Sequence, residues 1–201
     1  SKSLGNFISP HPIVDAVGPD VLRYYLLRDI GFGQDGDFSH QNLFARYHGD
    51  LGNGLGNLLN RVVASIVKTS FGGKVPTVAK EELLELDHKL IERAQESARV
   101  AAQHMADISP NRALDAIWEL VSAANKYVDQ TEPWKLAKTD PKRLGAVVYT
   151  VLEAVRFLGV MLWPVMPNKC DALLAQLGLP KIAPELGKDL WPSVFGELTG
   201  G

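Results

Sequence analysis

The sequence is poor in cysteine and in long apolar runs, and each shortage narrows what the chain can be. Cys170 is the single cysteine among 201 residues, which excludes a disulfide framework and a cysteine-based zinc site within this chain. No apolar run reaches the length of a membrane span, and no charged-then-apolar leader opens the sequence. A net charge of −2 argues against a general polyanion binder. We therefore expect no membrane contact. If the chain binds nucleic acid, we expect it to do so at a local patch of its surface.

Apolar residues recur at helical spacing through most of the chain, and no useful stretch alternates as a β-strand does. The predicted long helices begin at four places: after Ser39, at Lys80, after Ser109 and after Asp140. Shorter helices are expected after Gly18 and near Cys170. Helices of about 20–30 residues joined by short breaks predict an all-α fold, an antiparallel helical bundle.

Breaks in this pattern divide the chain into three parts. Residues 1–37 form a loop end and a connecting helix, residues 38–178 form the bundle, and residues 179–201 form an irregular C-terminal tail rich in Gly and Pro. The chain opens without Met on a stretch typical of the middle of a loop. We therefore expect it to be a fragment of a larger protein.

A polar stripe on the first long helix is the strongest sign of function. Asn53, Asn57 and Arg61 are four residues apart, which puts them on one face of an α-helix. This face carries amides and one guanidinium and lacks carboxylates over two turns, with Asn60 close by. Such groups suit the hydrogen-bonding edges of unpaired nucleic-acid bases. The alternative is an ordinary solvated helix face.

Four glycines interrupt the same helix. Gly49, Gly52, Gly54 and Gly56 fall within eight residues, although each costs about 1 kcal/mol relative to Ala in a helix interior. Three explanations remain open from the sequence: close packing of another backbone, room for a ligand, or a kink.

Two further residues are candidates for ligand contact. Lys2 lies between Ser1 and Ser3, and a flexible ammonium beside hydroxyls suits a phosphate, although an ordinary exposed Lys has the same pattern. Trp134 follows Pro133 at a helix start, where it is either a buried corner residue or an exposed platform for stacking a base.

The histidines, the paired aspartates and the cysteine give no sign of a metal site or a catalytic site. The five His residues lack metal-ligand spacing, so no metal site is expected. Asp35 and Asp37 lie in a Gly-rich turn that favours Asp for backbone hydrogen bonding. Cys170 lies on the apolar side of its helix and is expected to be a core residue.

Several segments together resemble the methionyl-tRNA synthetase family of class I aminoacyl-tRNA synthetases. The resemblance covers residues 1 to about 178, in matching order and approximate spacing. The end of the family's Lys-Met-Ser-Lys-Ser loop is similar to Ser1-Lys-Ser-Leu-Gly-Asn6. The family's segment that leads into the anticodon-binding domain is similar to Gly18-Pro-Asp-Val-Leu-Arg-Tyr-Tyr-Leu-Leu27. Asp35-Gly-Asp-Phe-Ser39, Gly56-Asn-Leu-Leu-Asn-Arg61 and Glu132-Pro-Trp134 are similar to segments of the methionine enzyme in particular.

The resemblance implies roles for these residues. Lys2 would be the second Lys of the ATP loop, a catalytic residue that stabilises the triphosphate while methionyl-adenylate forms. Asn57, Arg61 and Trp134 would read the CAU anticodon of methionine tRNA, and Asn53, one turn earlier, fits the same face. The parent enzyme would be a cytoplasmic ligase of translation that uses ATP with magnesium, methionine and methionine tRNA.

The resemblance also implies what this chain lacks. The nucleotide-binding catalytic domain, its His-containing signature, the methionine pocket and any zinc ligands of the parent are absent from the sequence. The chain alone is therefore expected to need no cofactor and to show no ATP–pyrophosphate exchange. Two alternatives remain: the same region of another class I synthetase, such as the cysteine enzyme, or a non-catalytic helical interaction module.

Overall fold

The protein is described by a computed structural model that covers residues 8–182 and 191–198. In this part of the chain the regular structure is helical and includes no strand, which confirms the predicted all-α bundle. Two short helices come first, α1 (His11–Val17) and α2 (Pro19–Asp29). A continuous helical run, α3, then covers residues 40–71. Short connections join the helices that follow: α4 (Glu85–Ala106), α5 (Pro110–Thr131), α6 (Pro133–Thr139), α7 (Pro141–Leu162) and α8 (Pro167–Gln176).

Capping side chains or first-turn prolines mark the helix starts. The Ser39 side chain accepts a hydrogen bond from the Asn42 N–H (3.2 Å), and Asp140 accepts one from the Arg143 N–H (3.0 Å), as expected of N-caps. Proline lies in the first turn of α2, α5, α6, α7 and α8, where its fixed φ suits the helix. The Ser109 hydroxyl precedes α5 but does not cap it; it donates to the Asp107 carbonyl (3.3 Å).

The predicted start of α4 at Lys80 is wrong. Lys80–Glu82 forms a single 3₁₀ turn, and Leu84 is extended, with φ −99° and ψ 171°. The Asp87 carboxylate accepts the Leu84 N–H (2.8 Å), so it satisfies a backbone donor before the first turn and fixes the helix start at Glu85. The amphipathic pattern in the sequence continues on the N-terminal side of this capping interaction, so the pattern does not mark where the helix starts.

The bundle core lies between the three 22-residue helices α4, α5 and α7, which pack on one another. By length and composition α7 is apolar enough to cross a membrane, and 89% of its most apolar window is buried inside the protein. This differs from the expectation that no apolar run is so long. Packing on three sides against other helices explains its composition, because a central helix needs no polar face.

A buried carboxylate joins the three long helices at one end. Asp87 of α4 is fully buried and accepts hydrogen bonds from Tyr127 of α5 and from both terminal nitrogens of Arg143 of α7. Burial alone would raise the pKa of Asp87, but the hydrogen bonds from Arg143 and Tyr127 hold it below its usual range. Burial and Asp87 together raise the pKa of Tyr127 well above its usual range.

Residues 191–198 lie against the bundle without regular secondary structure. Trp191 donates its indole N–H to the Ala98 carbonyl (3.0 Å). The buried Glu153 carboxylate accepts the backbone N–H groups of Gly196 (2.6 Å) and Leu198 (2.7 Å). This segment therefore covers the outer side of α4 and α7.

Helix α3 is wider than an α-helix over most of its length. Its α-helical ends are His40–Arg46 and Lys68–Phe71, and two π-helical segments, Tyr47–Gly56 and Asn60–Val67, flank the short α-helical Asn57–Leu59. π-helical turns are uncommon and occur often at functional sites. All four glycines of this helix lie in the first π-helical segment, and their small size favours this wider winding.

Candidate nucleic-acid interface

A polar groove of about 390 Å³ runs between α3 and α5. Asn53, Asn57 and Arg61 line its α3 side together, so the structure places the predicted stripe on one face although parts of α3 are π-helical. The opposite wall comes from α5 and consists of Trp118, Val121, Ser122, Asn125 and Asp129. The groove is open along its length and presents amides, a guanidinium, a hydroxyl and an indole. These groups can hydrogen-bond to the edges of an unpaired base.

Arg61 sits between an acid and an aromatic ring. Its Nη2 is 2.6 Å from the Asp129 carboxylate, and its Cζ is 5.3 Å from the centroid of the Trp134 ring. The ion pair and the cation–π contact hold the guanidinium at the end of the groove. Two of the predicted site residues, far apart in sequence, are therefore in contact.

The stripe itself has no carboxylate, as expected, but the folded groove contains two. Asp129 reaches Arg61 from α5, and Asp50 lines the other end of the groove. Asp50 accepts the Tyr24 hydroxyl (2.6 Å) and contacts Arg46 (3.3 Å), so most of its charge is compensated. Asp129 therefore competes directly with any ligand that Arg61 would contact.

Trp134 is exposed rather than a buried corner residue. Its side chain is 45% exposed, while the preceding Pro133 is buried. Glu132, the residue between α5 and α6, adopts the left-handed conformation (φ 44°, ψ 58°), which is uncommon for a residue other than glycine. This turn ends α5 and points the first turn of α6 toward Arg61, so a strained linker sets the ring beside the guanidinium.

The α5 wall was missed from sequence. The helix after Ser109 was predicted, but the groove-lining position of four of its side chains was not: Trp118, Ser122, Asn125 and Asp129. Their recurrence at intervals of three and four residues is the signal that could have identified a second polar face. Only the packing of α3 on α5 shows that this face borders the groove.

The other sequence candidates lie elsewhere. The predicted ATP-loop residues Ser1, Lys2 and Ser3 fall outside the described residues. Cys170 is buried, and burial raises the pKa of its thiol well above the usual range, which suits a core residue. Among residues 8–182 and 191–198, no group of three His, Cys, Asp or Glu side chains is placed to hold a metal ion.

A second cavity of about 550 Å³ lies between α2, α3 and α8. Most of its lining is apolar, with Val21, Leu51, Leu55, Met166 and Leu173 among its residues. It lacks the clustered hydrogen-bonding groups of the groove, so it suits base recognition less well.

Comparisons with known proteins match the whole chain. The family model described as tRNA synthetases class I (M) matches residues 1–63, and the model of the anticodon binding domain of methionyl tRNA ligase matches residues 75–192. The methionine–tRNA ligase of Caldanaerobacter subterraneus subsp. tengcongensis is 45% identical over 100% of this chain and 31% of its own length. That of Halalkalibacterium halodurans is 40% identical over 100% of this chain and 30% of its own length.

A solved structure agrees with these matches. The Mycobacterium tuberculosis methionyl-tRNA synthetase in complex with methionyl-adenylate superposes with a TM-score of 0.89 at 34% identity. The match includes 100% of this chain and 39% of that structure. The chain therefore spans about 30–39% of the length of these proteins. The anticodon-domain model alone covers more than half of the sequence. The chain belongs to the methionyl-tRNA synthetase family and contains its anticodon-binding domain.

Proposed function

We propose that the groove between α3 and α5 binds the anticodon loop of methionine tRNA and reads its CAU triplet. The observation that carries this proposal is the contact of Arg61 with Trp134 at the end of a groove lined by Asn53 and Asn57. An exposed ring stacks one unpaired base, and the adjacent amides and guanidinium bond the edges of its neighbours. Relatives named as methionine–tRNA ligases support the choice of tRNA.

The division of the chain follows from this role. Residues 38–178 would be the RNA-binding unit, residues 1–37 the connection from a catalytic domain, and residues 179–201 a tail. Lys2, with Ser1 and Ser3, would stabilise the phosphates of ATP in the whole protein, as the resemblance implies. That protein would be a cytoplasmic methionine–tRNA ligase, and the magnesium that accompanies its ATP would bind with the catalytic domain.

A binding titration tests the proposal. The 201-residue chain is titrated at fixed moderate salt with two anticodon stem-loop RNAs, one carrying CAU and one with the central base changed. We expect tighter binding of the CAU loop. Trp134→Ala should weaken that binding by about fivefold to a hundredfold, because stacking a base on an aromatic ring contributes about 1–3 kcal/mol.

A matched control distinguishes a specific contribution of Trp134 from nonspecific binding of RNA to exposed aromatic rings. Phe32 is 69% exposed and does not line the groove, so Phe32→Ala should bind as the unchanged chain does. Equal and weak binding of both RNAs, unaffected by Trp134→Ala, would contradict anticodon reading and favour a helical interaction module. A preference for a different anticodon would assign the domain to another class I synthetase.

A further inference from the structure

We propose that Gly56 is a positioning residue, because it permits the wide helical turn that keeps Asn57 and Arg61 in line with Asn53. Gly56 lines the apolar cavity rather than the groove, so it contacts no nucleotide and acts through the side chains of the stripe. This role rests on the proposed function, because it concerns how the stripe meets an RNA loop.

Of the four glycines of α3, Gly56 alone leaves no room for a side chain. A Cβ added there would lie 2.9 Å from the Leu51 carbonyl oxygen, closer than carbon and a non-bonded oxygen approach without a steric clash. At the other three glycines the nearest atom would be 3.5 Å away or farther, which is ordinary van der Waals contact. The obstacle at Gly56 is main chain, so no rotation of a side chain can relieve it.

The crowding at Gly56 comes from the width of the turn and not from its dihedral angles. Its φ of −62° and ψ of −40° suit any residue in a helix. The next N–H, that of Asn57, is directed to the carbonyls of Gly52 and Gly54, and a bond that reaches five residues back is typical of a π-helical turn. The same offset separates Gly56 from the Leu51 carbonyl that crowds it. Of the explanations that the sequence left open, close packing of backbone applies here, and the backbone is that of the same helix.

The wide turn brings the stripe into line. In an α-helix each four-residue step passes a full turn by about 40°, so Arg61 would be rotated about 80° from Asn53. A π-helical turn holds about one residue more, so the same step falls short of a full turn. Helix α3 changes from π- to α-helical winding at Asn57, and the two rotations oppose each other. The three side chains therefore line one groove.

Both halves of α3 are anchored, so a rotation of the whole helix cannot absorb a change of winding at Gly56. In the first half, Asp50 accepts the hydroxyl of Tyr24 from α2 (2.6 Å). In the second half, Leu58 and Val62 are buried in the bundle core. A change in the turn between these anchors must therefore displace the stripe.

Gly56→Ala tests this role directly. Its methyl group cannot fit the present turn, so binding of the CAU stem-loop should weaken by about three- to tenfold, the loss of one or two hydrogen bonds. Gly52→Ala is the matched control, because Gly52 lies in the same π-helical segment, lines the same cavity and accepts a Cβ at 3.5 Å. It should bind as the unchanged chain does. A circular-dichroism melt confirms that each variant is folded at the assay temperature.

A double-mutant cycle distinguishes positioning from a general loss of stability. If Gly56 acts through the stripe, Gly56→Ala weakens binding by a smaller factor in a chain that already carries Arg61→Gln, because part of the misplaced contact is gone. Equal factors in the two backgrounds would overturn the positioning role.

A second measurement needs no variant, so it holds even if Gly56→Ala does not fold. Nuclear magnetic resonance detects scalar couplings across hydrogen bonds, and the Asn57 amide nitrogen should couple to the Gly52 carbonyl carbon. A coupling to the Asn53 carbonyl carbon instead would show an ordinary α-helical turn and would refute the proposal.

The binding results separate this role from the proposed function. If Trp134→Ala weakens binding while Gly56→Ala binds as Gly52→Ala does, the positioning role is refuted and anticodon reading stands. An equal loss in Gly52→Ala also refutes it, because any methyl group added to this helix would then suffice. If the stem-loop binds none of the proteins, or Trp134→Ala has no effect, the proposed function fails and the positioning role fails with it.

Discussion

At the scale of single residues, the ion pair between Arg61 and Asp129 is the feature that would most directly limit RNA binding at the proposed site. The carboxylate lies 2.6 Å from the guanidinium at the place where RNA would approach. It neutralises Arg61 in the free protein and repels nearby phosphates. The site is thus built with a competing anion, which lowers affinity for any RNA that does not replace the ion pair with contacts of its own.

Replacing this anion should tighten RNA binding. We expect Asp129→Asn to raise the affinity for both the CAU and the altered stem-loop, by about two- to fivefold at moderate salt, and so to reduce the ratio between them. Glu119→Gln is the matched control, because Glu119 lies on the same helix, is paired with Arg93 and has the same 65% side-chain exposure. Weaker binding of Asp129→Asn would instead mean that Asp129 holds Arg61 in the binding geometry.

At the scale of helices, one carboxylate determines where α4 begins and how it meets α5 and α7. Asp87→Asn keeps the size of the side chain but leaves Arg143, whose side chain is 16% exposed, without its anionic partner. Breaking a buried ion pair costs about 3–5 kcal/mol. We expect a loss of that order in the free energy of unfolding, measured by urea denaturation at pH 7, and almost none for Glu85→Gln, which breaks an exposed pair.

The same comparison has a defined pH dependence. Because the pKa of Asp87 is lowered in the folded protein, its stabilisation is present above the unfolded pKa of about 4 and is lost as pH falls through the folded value. The difference in unfolding free energy between the unchanged chain and Asp87→Asn should therefore shrink between pH 5 and pH 3. A difference independent of pH would show that packing, not the charge, accounts for the loss.

The helices were predictable where the signal is local. Asp140 with Pro141 is a capping pattern within adjacent residues, and it marks the start of α7 correctly. The start of α4 was misplaced. The Asp87 carboxylate that accepts the Leu84 N–H is only three residues from it, but that carboxylate is held by partners 40 and 56 residues away that no local pattern contains. The groove follows the same rule: its α3 wall is one periodic stripe, whereas its α5 wall depends on how two helices pack. The left-handed Glu132 that orients Trp134 has no signature in its own residue type.

At the scale of the whole molecule, the charge distribution limits how RNA can be held. The chain carries a net charge of −2, and the groove combines Arg61 with Asp50 and Asp129. Few cations are therefore available to displace the counterions of an RNA backbone. Affinity at this site must come mainly from stacking and hydrogen bonds, which depend little on salt and carry sequence preference.

The small number of cations at the groove predicts a shallow salt dependence of RNA binding. For one or two neutralised phosphates, the slope of log K against log salt concentration is about −0.7 to −1.4, and we expect the CAU stem-loop to fall in that range. Arg61→Gln should reduce the slope by about 0.7 if the guanidinium meets a phosphate, and leave it unchanged if it meets a base. Arg99→Gln, which removes an exposed cation of α4 paired with Glu96, is the control and should not alter the slope. A slope steeper than about −4 would mean that phosphates bind over a wider surface than the groove, and RNA recognition would then have to be assigned to the cations outside it.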